Sequence, residues 1–331
     1  GGAGLYAESW TLAQCAFTGC EVPAQYAART AALVFAAAFM LAFGTTRAIA
    51  FWRRRATPWI KARVAEEVEL VLRVQSVRHP ALERLCDLSS FAVSQELYLT
   101  VLPLVLWRGE LQLGRQLTVL MSTCLYAGNA MKDALCAPRP PSPPVRRTGD
   151  AKQAANAKEY GLPSSHVLSS FCMIVYPLCF YAWETGELRG AALVGWASLA
   201  TAAIALIAFA CLHLGMHSLI DVQAGFLGGV VLLVYWLTLD QTVDAWMLRG
   251  THVVPIQTLM TAALLAFYPV PEDPTPSFEF CQRYHGTTWG IVVGVRHGHA
   301  VMARAGRGTG WRLAARFVVG LSATLALKEA T

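Results

Sequence analysis

The sequence carries little charge for its length. Of its 331 residues, 15% are Asp, Glu, Lys or Arg and 55% are hydrophobic, and the mean hydropathy is +0.43. Ordinary soluble domains contain about 25% charged residues. This shortage of charge excludes a typical soluble domain and predicts an integral membrane protein.

Patterns typical of several other protein classes are also missing. The nine cysteines follow no zinc-binding spacing. No signal-peptide pattern opens the chain, and no internal repeat stands out. The paired, interrupted spans that would favour a transporter are absent as well. We expect no metal ion, no cofactor and no nucleic-acid partner.

Long apolar runs are what the sequence does contain. A helix needs roughly 20 residues to cross about 30 Å of hydrocarbon. Runs that approach or exceed this length predict spans at 28–52, 89–107, 113–131, 165–183, 190–211, 217–238, 251–270, 286–303 and 311–327. The sequence therefore predicts an all-α, polytopic membrane helix bundle of about nine spans.

The chain is expected to fall into three parts. Residues 1–80 are predicted to hold one span and an amphipathic helix at 53–79 on the bilayer surface, although a solvated helix explains that segment nearly as well. Residues 81–240 are the predicted core, and residues 241–331 the C-terminal spans.

Three short polar stretches stand out between the apolar runs. The first is Lys132 with Arg139-Pro140, the second is Pro163-Ser164-Ser165-His166, and the third is His217 with Asp221. Lysine and arginine bind phosphate, and one imidazole can attack phosphorus while another protonates the leaving oxygen. A carboxylate one helical turn from His217 can orient its ring. Together they suit metal-free hydrolysis of a phosphomonoester.

The order of the predicted spans brings these stretches to one membrane face. Lys132 and Arg139 follow one span, and His166 begins the next. Span 165–183 leaves that face and span 190–211 returns to it, so His217 is expected beside the loop 132–164. The pattern predicts one site at the membrane–water boundary, within reach of a lipid headgroup.

The three stretches resemble the motifs of the type 2 phosphatidic acid phosphatase superfamily, K-x6-R-P, P-S-G-H and S-R-x5-H-x3-D. The first matches in full, and Ser165 replaces glycine in the second. The third keeps its His and Asp, but Ala210-Cys211 stands where Ser-Arg is expected. The surrounding Glu159-Tyr160-Gly161-Leu162 and Gly215-Met216-His217-Ser218 are similar to the sphingosine-1-phosphate (long-chain-base phosphate) phosphatase branch.

The resemblance implies a six-helix phosphatase-like core and a role for each matched residue. His217 would attack phosphorus and form a phosphohistidine, with Asp221 holding its ring. His166 would protonate the leaving alkoxide and then activate water. The residues expected to bind the phosphate are Lys132, Arg139, Ser164 and Ser165. The substrate would be a lipid phosphate drawn from the surrounding membrane lipids.

The replaced arginine leaves two interpretations. Cys211 cannot supply the lost positive charge, although a protonated His213 could partly substitute for it. One interpretation is an active phosphatase acting on a sphingoid long-chain-base phosphate. The alternative is a weakened or inactive family member that serves as a structural or lipid-binding subunit, with a partner in a membrane complex.

Location and sidedness give conflicting signals. The resemblance implies an endoplasmic reticulum protein with a lumenal site. The loop 53–88 is predicted to share a face with the site, and it carries eight basic residues, which the positive-inside rule places in the cytosol.

Overall fold

The computed structural model describes residues 45–147, 158–305 and 310–330. Within these ranges the regular structure is entirely helical and contains no strand, which confirms the predicted all-α class. The helices are α1 Thr46–Arg55, α2 Thr57–Glu66, α3 Val68–Ser76, α4 Pro80–Ala92, α5 Gln95–Arg108, α6 Leu111–Leu135, α7 Ser165–Cys179, α8 Gly190–His213, α9 Leu219–Arg249, α10 Val253–Ala266, α11 Ser277–Ala305 and α12 Gly310–Ala330.

Three helices in the described ranges are long and apolar enough to cross a membrane. They are α7 with the wider π turn that continues it to Glu184, and then α8 and α9. These helices support the predicted integral membrane bundle, while the count of nine spans remains a prediction. Most of the predicted span 28–52 lies outside the described residues.

Several predicted spans are not single, uniformly apolar helices in the structure. The run 89–107 is divided between α4 and α5, because Ser94 caps a new helix by accepting from the Leu97 N–H at 3.3 Å. The run 251–270 contains a helix of only 14 residues, α10. Charged residues interrupt the apolar pattern in α6, α11 and α12.

The bundle is built around α7. This helix packs against α6, α8 and α9, and α11 packs on another part of α6. The buried side chains that α7 shares with its neighbours are mainly aliphatic or aromatic: Leu120, Met121, Leu125, Val167, Leu168, Tyr176, Leu233 and Trp236. Within a membrane such contacts stabilise the bundle mainly through close van der Waals packing, and they hold the end of α6 next to the starts of α7 and α9.

Two glycines allow the close approaches near those helix ends. Gly215 turns the chain between α8 and α9 with a φ of +70°, and a side chain there would collide with the Arg146 carbonyl oxygen. At Gly225 in α9, a Cβ atom would lie 2.5 Å from the Ser164 carbonyl oxygen. Glycine at both positions therefore lets α9 and the turn before it contact the loop between α6 and α7.

The segment predicted as one amphipathic helix at 53–79 forms parts of three short helices, α1 to α3. Ala56 and Glu67 interrupt it, and Pro58 lies in the first turn of α2, where proline is tolerated. Polar side chains from these helices contact the ends of the bundle. Arg53 donates to the Ala134 carbonyl at 2.9 Å, and the Ile220 N–H donates to the Glu67 carboxylate at 2.8 Å.

A buried ion pair joins α6 and α9 far along the helices from Lys132. Arg115 donates to Asp244 through Nε at 2.7 Å and through Nη2 at 2.8 Å. Nearby, the Tyr176 hydroxyl donates to Asp240 at 2.8 Å. Charges inside a membrane bundle are costly unless they are paired, and these contacts pair them within the protein.

Candidate active site

The three polar stretches meet at one end of the bundle, as the order of spans predicts. Lys132 lies in the last turn of α6, and His166 lies in the first turn of α7. His217 comes just before α9, and Asp221 lies in the first turn of that helix. Hydrogen bonds link the stretches directly, as in the 2.9 Å bond from the Ser164 N–H to the Asp221 carbonyl.

Asp221 and His217 lie side by side in the buried centre of the site. His217 Nδ1 is 3.6 Å from Asp221 Oδ2, and the two residues are 1% and 0% exposed. The Ser218 N–H donates to Asp221 Oδ2 at 2.8 Å, as in a capping box at the start of α9. This bond holds the carboxylate toward the His217 ring.

Arg139 contacts the opposite nitrogen of the same ring. Its Nη1 lies 3.3 Å from His217 Nε2. A guanidinium has donors only, so Nε2 must be the acceptor in this pair and Nδ1 must carry the ring proton. The neutral ring therefore presents its Nε2 lone pair to Arg139, and its Nδ1–H lies near Asp221, 3.6 Å away, without a hydrogen bond to it.

The surroundings of His217 favour this neutral form. Burial lowers the pKa of His217 well below its ordinary value, and the positive charges of Arg139 and Lys132 lower it further. A neutral imidazole is the nucleophilic form. These surroundings therefore keep the ring neutral near pH 7.

Lys132 and Arg139 are both buried and both held by hydrogen bonds. Lys132 Nζ donates to Ser165 Oγ at 2.8 Å and contacts the carboxylate of Glu159. Arg139 donates from Nε to the Glu159 carbonyl at 2.8 Å and from Nη1 to the Met216 carbonyl at 2.5 Å. These contacts fix two cations next to the His217 ring.

Sequence reasoning gave Glu159 no role, yet its carboxylate lies between the two cations. Its Oε2 contacts Lys132 Nζ and lies 3.9 Å from Arg139 Nη2. Burial alone would raise the pKa of this carboxyl, but Lys132 and Arg139 outweigh burial and lower it. One signal could have revealed it, since two buried cations require a nearby anion and Glu159 is an acid in the same loop.

The start of α7 places Ser164 and Ser165 beside these groups. Ser164 is fully buried, and its Oγ lies 3.8 Å from Cys211 Sγ. Ser165 contacts Lys132, and His166 is only partly exposed. The binding and acid–base roles expected for these residues remain predictions.

Cys211 and His213 occupy the end of α8. Cys211 is a buried free thiol and brings no charge to the position where arginine is expected. His213 Nδ1 lies 3.3 Å from the Val74 carbonyl, and its ring stacks on Phe209 at 5.6 Å. These contacts hold His213 against α3 and its own helix, and its compensating role remains a prediction.

An apolar groove of about 600 Å³ begins beside the site. Val167, next to His166, lies at one end, and the groove continues along α7 past Phe171 and Val175 to Leu178. Residues of α8 and α9 form its other sides. Its lining is suited to a hydrocarbon chain. Among residues 45–147, 158–305 and 310–330, no three His, Cys, Asp or Glu side chains are grouped as ligands for a metal ion.

Comparison with known proteins points to one family. The PAP2 superfamily matches residues 114–244, a range that contains all three motifs. Lipid phosphate phosphatase delta of Arabidopsis thaliana is 40% identical over 241 residues, covering 72% of this chain and 58% of that protein. A dihydrosphingosine 1-phosphate phosphatase of Schizosaccharomyces pombe is 26% identical over 233 residues, covering 70% and 56%.

Mouse sphingosine-1-phosphate phosphatase 1 is 29% identical over 150 residues, covering 44% of this chain and 32% of that protein. The chain thus spans less than two thirds of the length of these relatives. No solved structure matches. The helical fold and the three joined motifs fit this match, and residues 114–244 are a domain of the PAP2 superfamily. Its relatives are consistent with the sphingosine-1-phosphate phosphatase branch.

Proposed function

We propose that this protein is an integral-membrane phosphatase that hydrolyses a sphingoid long-chain-base phosphate through a phosphohistidine at His217. One observation carries the proposal: the buried His217 ring lies between Asp221, 3.6 Å from Nδ1, and Arg139, 3.3 Å from Nε2. The nitrogen that would attack therefore faces a cation that would bind the phosphate.

Lys132 and Arg139 bind the phosphate in this proposal. Arg139 offers a planar fork and Lys132 a point charge. The first turn of α7, which begins at Ser165, adds backbone N–H groups and the positive end of a helix dipole. Ser164 adds its hydroxyl, since its N–H already donates to the Asp221 carbonyl. The phosphate then lies against Nε2 of His217.

The reaction proceeds in two displacements. In the first, His217 Nε2 forms a bond to phosphorus as the ester P–O bond breaks, and His166 gives its proton to the departing alkoxide. The long-chain base leaves as the free alcohol. In the second, a water molecule gives a proton to His166 and attacks phosphorus, and the P–N bond breaks. Inorganic phosphate and neutral His217 result, so the cycle needs no other reactant.

The lipid assignment has two supports. The groove beside His166 holds about 600 Å³ of apolar space along α7, which suits the chain of a lipid whose phosphate lies at the site. Two relatives are named for sphingoid substrates, the S. pombe and mouse proteins. The Arabidopsis relative is named for lipid phosphates in general.

A second function is favoured by Cys211 and Glu159. Cys211 adds no positive charge, and the Glu159 carboxylate contacts Lys132 and lies near Arg139. In this alternative the protein is a weakened or inactive family member, which holds a lipid or a partner within a membrane complex.

Phosphate release separates the two functions. The protein is purified in detergent and given dihydrosphingosine 1-phosphate with EDTA present. We expect release by the unaltered protein and by His297→Ala, a matched change at an exposed histidine of α11. His217→Ala should release none. Equal release by the unaltered protein and His217→Ala at every pH would instead support the inactive subunit.

We also propose that the site faces the lumen of the endoplasmic reticulum. The family resemblance supports this side, whereas the basic residues of α1 to α4 favour the cytosol. Ser142 is exposed in the loop after α6, so Ser142→Cys can be labelled in sealed microsomes with an impermeant maleimide. Labelling only after permeabilisation is expected, and labelling of intact microsomes would place the site in the cytosol.

A further inference from the structure

Glu159 lies where it would border a bound phosphate. Its carboxylate contacts Lys132 Nζ, and Arg139 Nη2 is 3.9 Å away. Both cations are assigned to the substrate phosphate in the proposed function. Glu159 is 6% exposed, so water screens its charge poorly.

A phosphate that binds these two cations brings negative charge next to a buried carboxylate. Like charges at short distance are unfavourable at a site of low dielectric. The approach is favourable when the ligand also brings a positive charge for Glu159. Arginine at position 211 would have offset some of this repulsion, but Cys211 is neutral.

A long-chain-base phosphate brings both charges in one molecule. Its ammonium group is on the carbon next to the one that bears the phosphate ester, so the two groups are separated by two carbons. When the phosphate takes Lys132 and Arg139 from Glu159, the ammonium can take their place beside the carboxylate. Lipid phosphates without an amine leave Glu159 buried and less well paired.

We propose that Glu159 determines substrate specificity by binding the ammonium group of an amine-bearing lipid phosphate. This inference rests on the proposed function, because it takes Lys132 and Arg139 as the phosphate site. Glu159 is a binding residue here and does not take part in proton transfer. It favours sphingoid phosphates over phosphates of equal chain length that have no amine.

The test compares kcat/KM for dihydrosphingosine 1-phosphate and octadecyl phosphate. A hydrogen bond to a charged group contributes about 1.5–3 kcal/mol, so the unaltered protein should prefer the amine-bearing lipid by roughly 10- to 100-fold. Glu159→Gln keeps the shape and removes the charge, and the preference should disappear. Glu69→Gln is the matched control, since Glu69 pairs with Arg73 in an exposed contact on α3, and it should keep the preference.

Two further measurements make the result decisive. N-acetylated dihydrosphingosine 1-phosphate has no ammonium charge. The unaltered protein should therefore show the same low kcat/KM for this lipid as for octadecyl phosphate. The second measurement is binding of the same lipids to His217→Ala, which should not turn them over. His217→Ala should bind the amine-bearing lipid more tightly than the other two, and adding Glu159→Gln should remove this preference. This binding test remains valid even if the protein hydrolyses no lipid.

The outcomes separate the two proposals. Absence of phosphate release from every lipid would contradict the proposed hydrolysis, while the binding ratios would still decide the role of Glu159. An equal effect of Glu159→Gln on amine-bearing and amine-free lipids would overturn the specificity role and leave hydrolysis standing. Equal handling of all three lipids by the unaltered protein would overturn it as well.

Discussion

Arg139 Nη1 lies 3.3 Å from His217 Nε2, on the far side of the ring from Asp221. Since the guanidinium only donates, this contact fixes which ring nitrogen is unprotonated. The proposed attack uses that nitrogen. In the proposed mechanism Arg139 therefore has two functions: it would bind the phosphate, and before substrate arrives it would hold His217 in the nucleophilic tautomer.

Asp221→Asn should lower kcat/KM by roughly 100-fold or more, within the range of general acid–base effects. The amide oxygen can still accept from the Ser218 N–H, so the start of α9 is preserved. The amide provides no negative charge to stabilise the developing imidazolium, and its NH2 group can turn toward Nδ1 and favour the wrong tautomer. Steady-state kinetics in detergent measure the effect.

Asp87→Asn is the control for this change, because Asp87 is exposed on α4. Its rate should be unchanged. Full activity in Asp221→Asn would mean that Asp221 does not orient His217.

Cys211→Arg should raise kcat/KM tenfold or more. Cys211 Sγ lies 3.8 Å from Ser164 Oγ, at the start of α7, and a guanidinium here would add positive charge where the phosphate is expected. A well-placed donor can contribute roughly 100- to 1,000-fold to a rate. The comparison is with Cys211→Met, which adds length without charge. An equal rise in kcat/KM in Cys211→Met, or no rise in Cys211→Arg, would show that the site does not need a positive charge at position 211.

Gly225→Ala should impair the site from a distance. The added methyl group would meet the Ser164 carbonyl oxygen at 2.5 Å, so α9 and the start of α7 must move apart. We expect kcat/KM to fall tenfold or more, and overpacking to cost about 1–3 kcal/mol of stability.

Gly195→Ala in α8 provides the matched control, because no atom lies within 4 Å of its added methyl group. It should leave the rate unchanged and stabilise the helix by about 0.4–1 kcal/mol. Thermal unfolding and kinetics of both variants measure these effects. If Gly225→Ala behaved like Gly195→Ala, the contact between α9 and Ser164 would have no catalytic importance.

The buried neutral His217 should make stability depend on pH. Its pKa is lowered in the folded state, so below the ordinary histidine value of about 6.5 the unfolded chain binds a proton that the folded chain does not. Stability therefore falls as pH decreases from about 6.5 toward the lowered pKa. His217→Gln removes this contribution, and its unfolding midpoint should fall less between pH 7.5 and pH 5.5. Identical slopes for the two proteins would contradict a buried neutral His217.

The sequence predicted well those features that depend on spacing along the chain. Apolar runs predicted the long apolar helices α7, α8 and α9, and the alternation of spans predicted that Lys132, His166 and His217 meet at one end. The four-residue separation of His217 and Asp221 predicted that their side chains meet, and they do, but His217 precedes α9 and does not share a helix face with Asp221. Spacing along the chain can be read without knowledge of tertiary contacts.

Other features depend on tertiary contacts that spacing does not encode. The position of Glu159 between Lys132 and Arg139 is one of them. Contacts of Arg53 and Glu67 with α6 and α9 depend on how α1 and α2 fold back. The number of spans is equally hard to read, because pairs such as Arg115 with Asp244 permit charge inside the bundle.

The most direct test of the account is detection of the phosphoenzyme. Dihydrosphingosine 1-phosphate labelled with radioactive phosphorus is mixed with the protein and quenched in alkali, which preserves a phosphorus–nitrogen bond. We predict transient label on the peptide that contains His217 and none in His217→Ala. Phosphate release by an active protein without label at any time, or label on another residue, would contradict attack by His217.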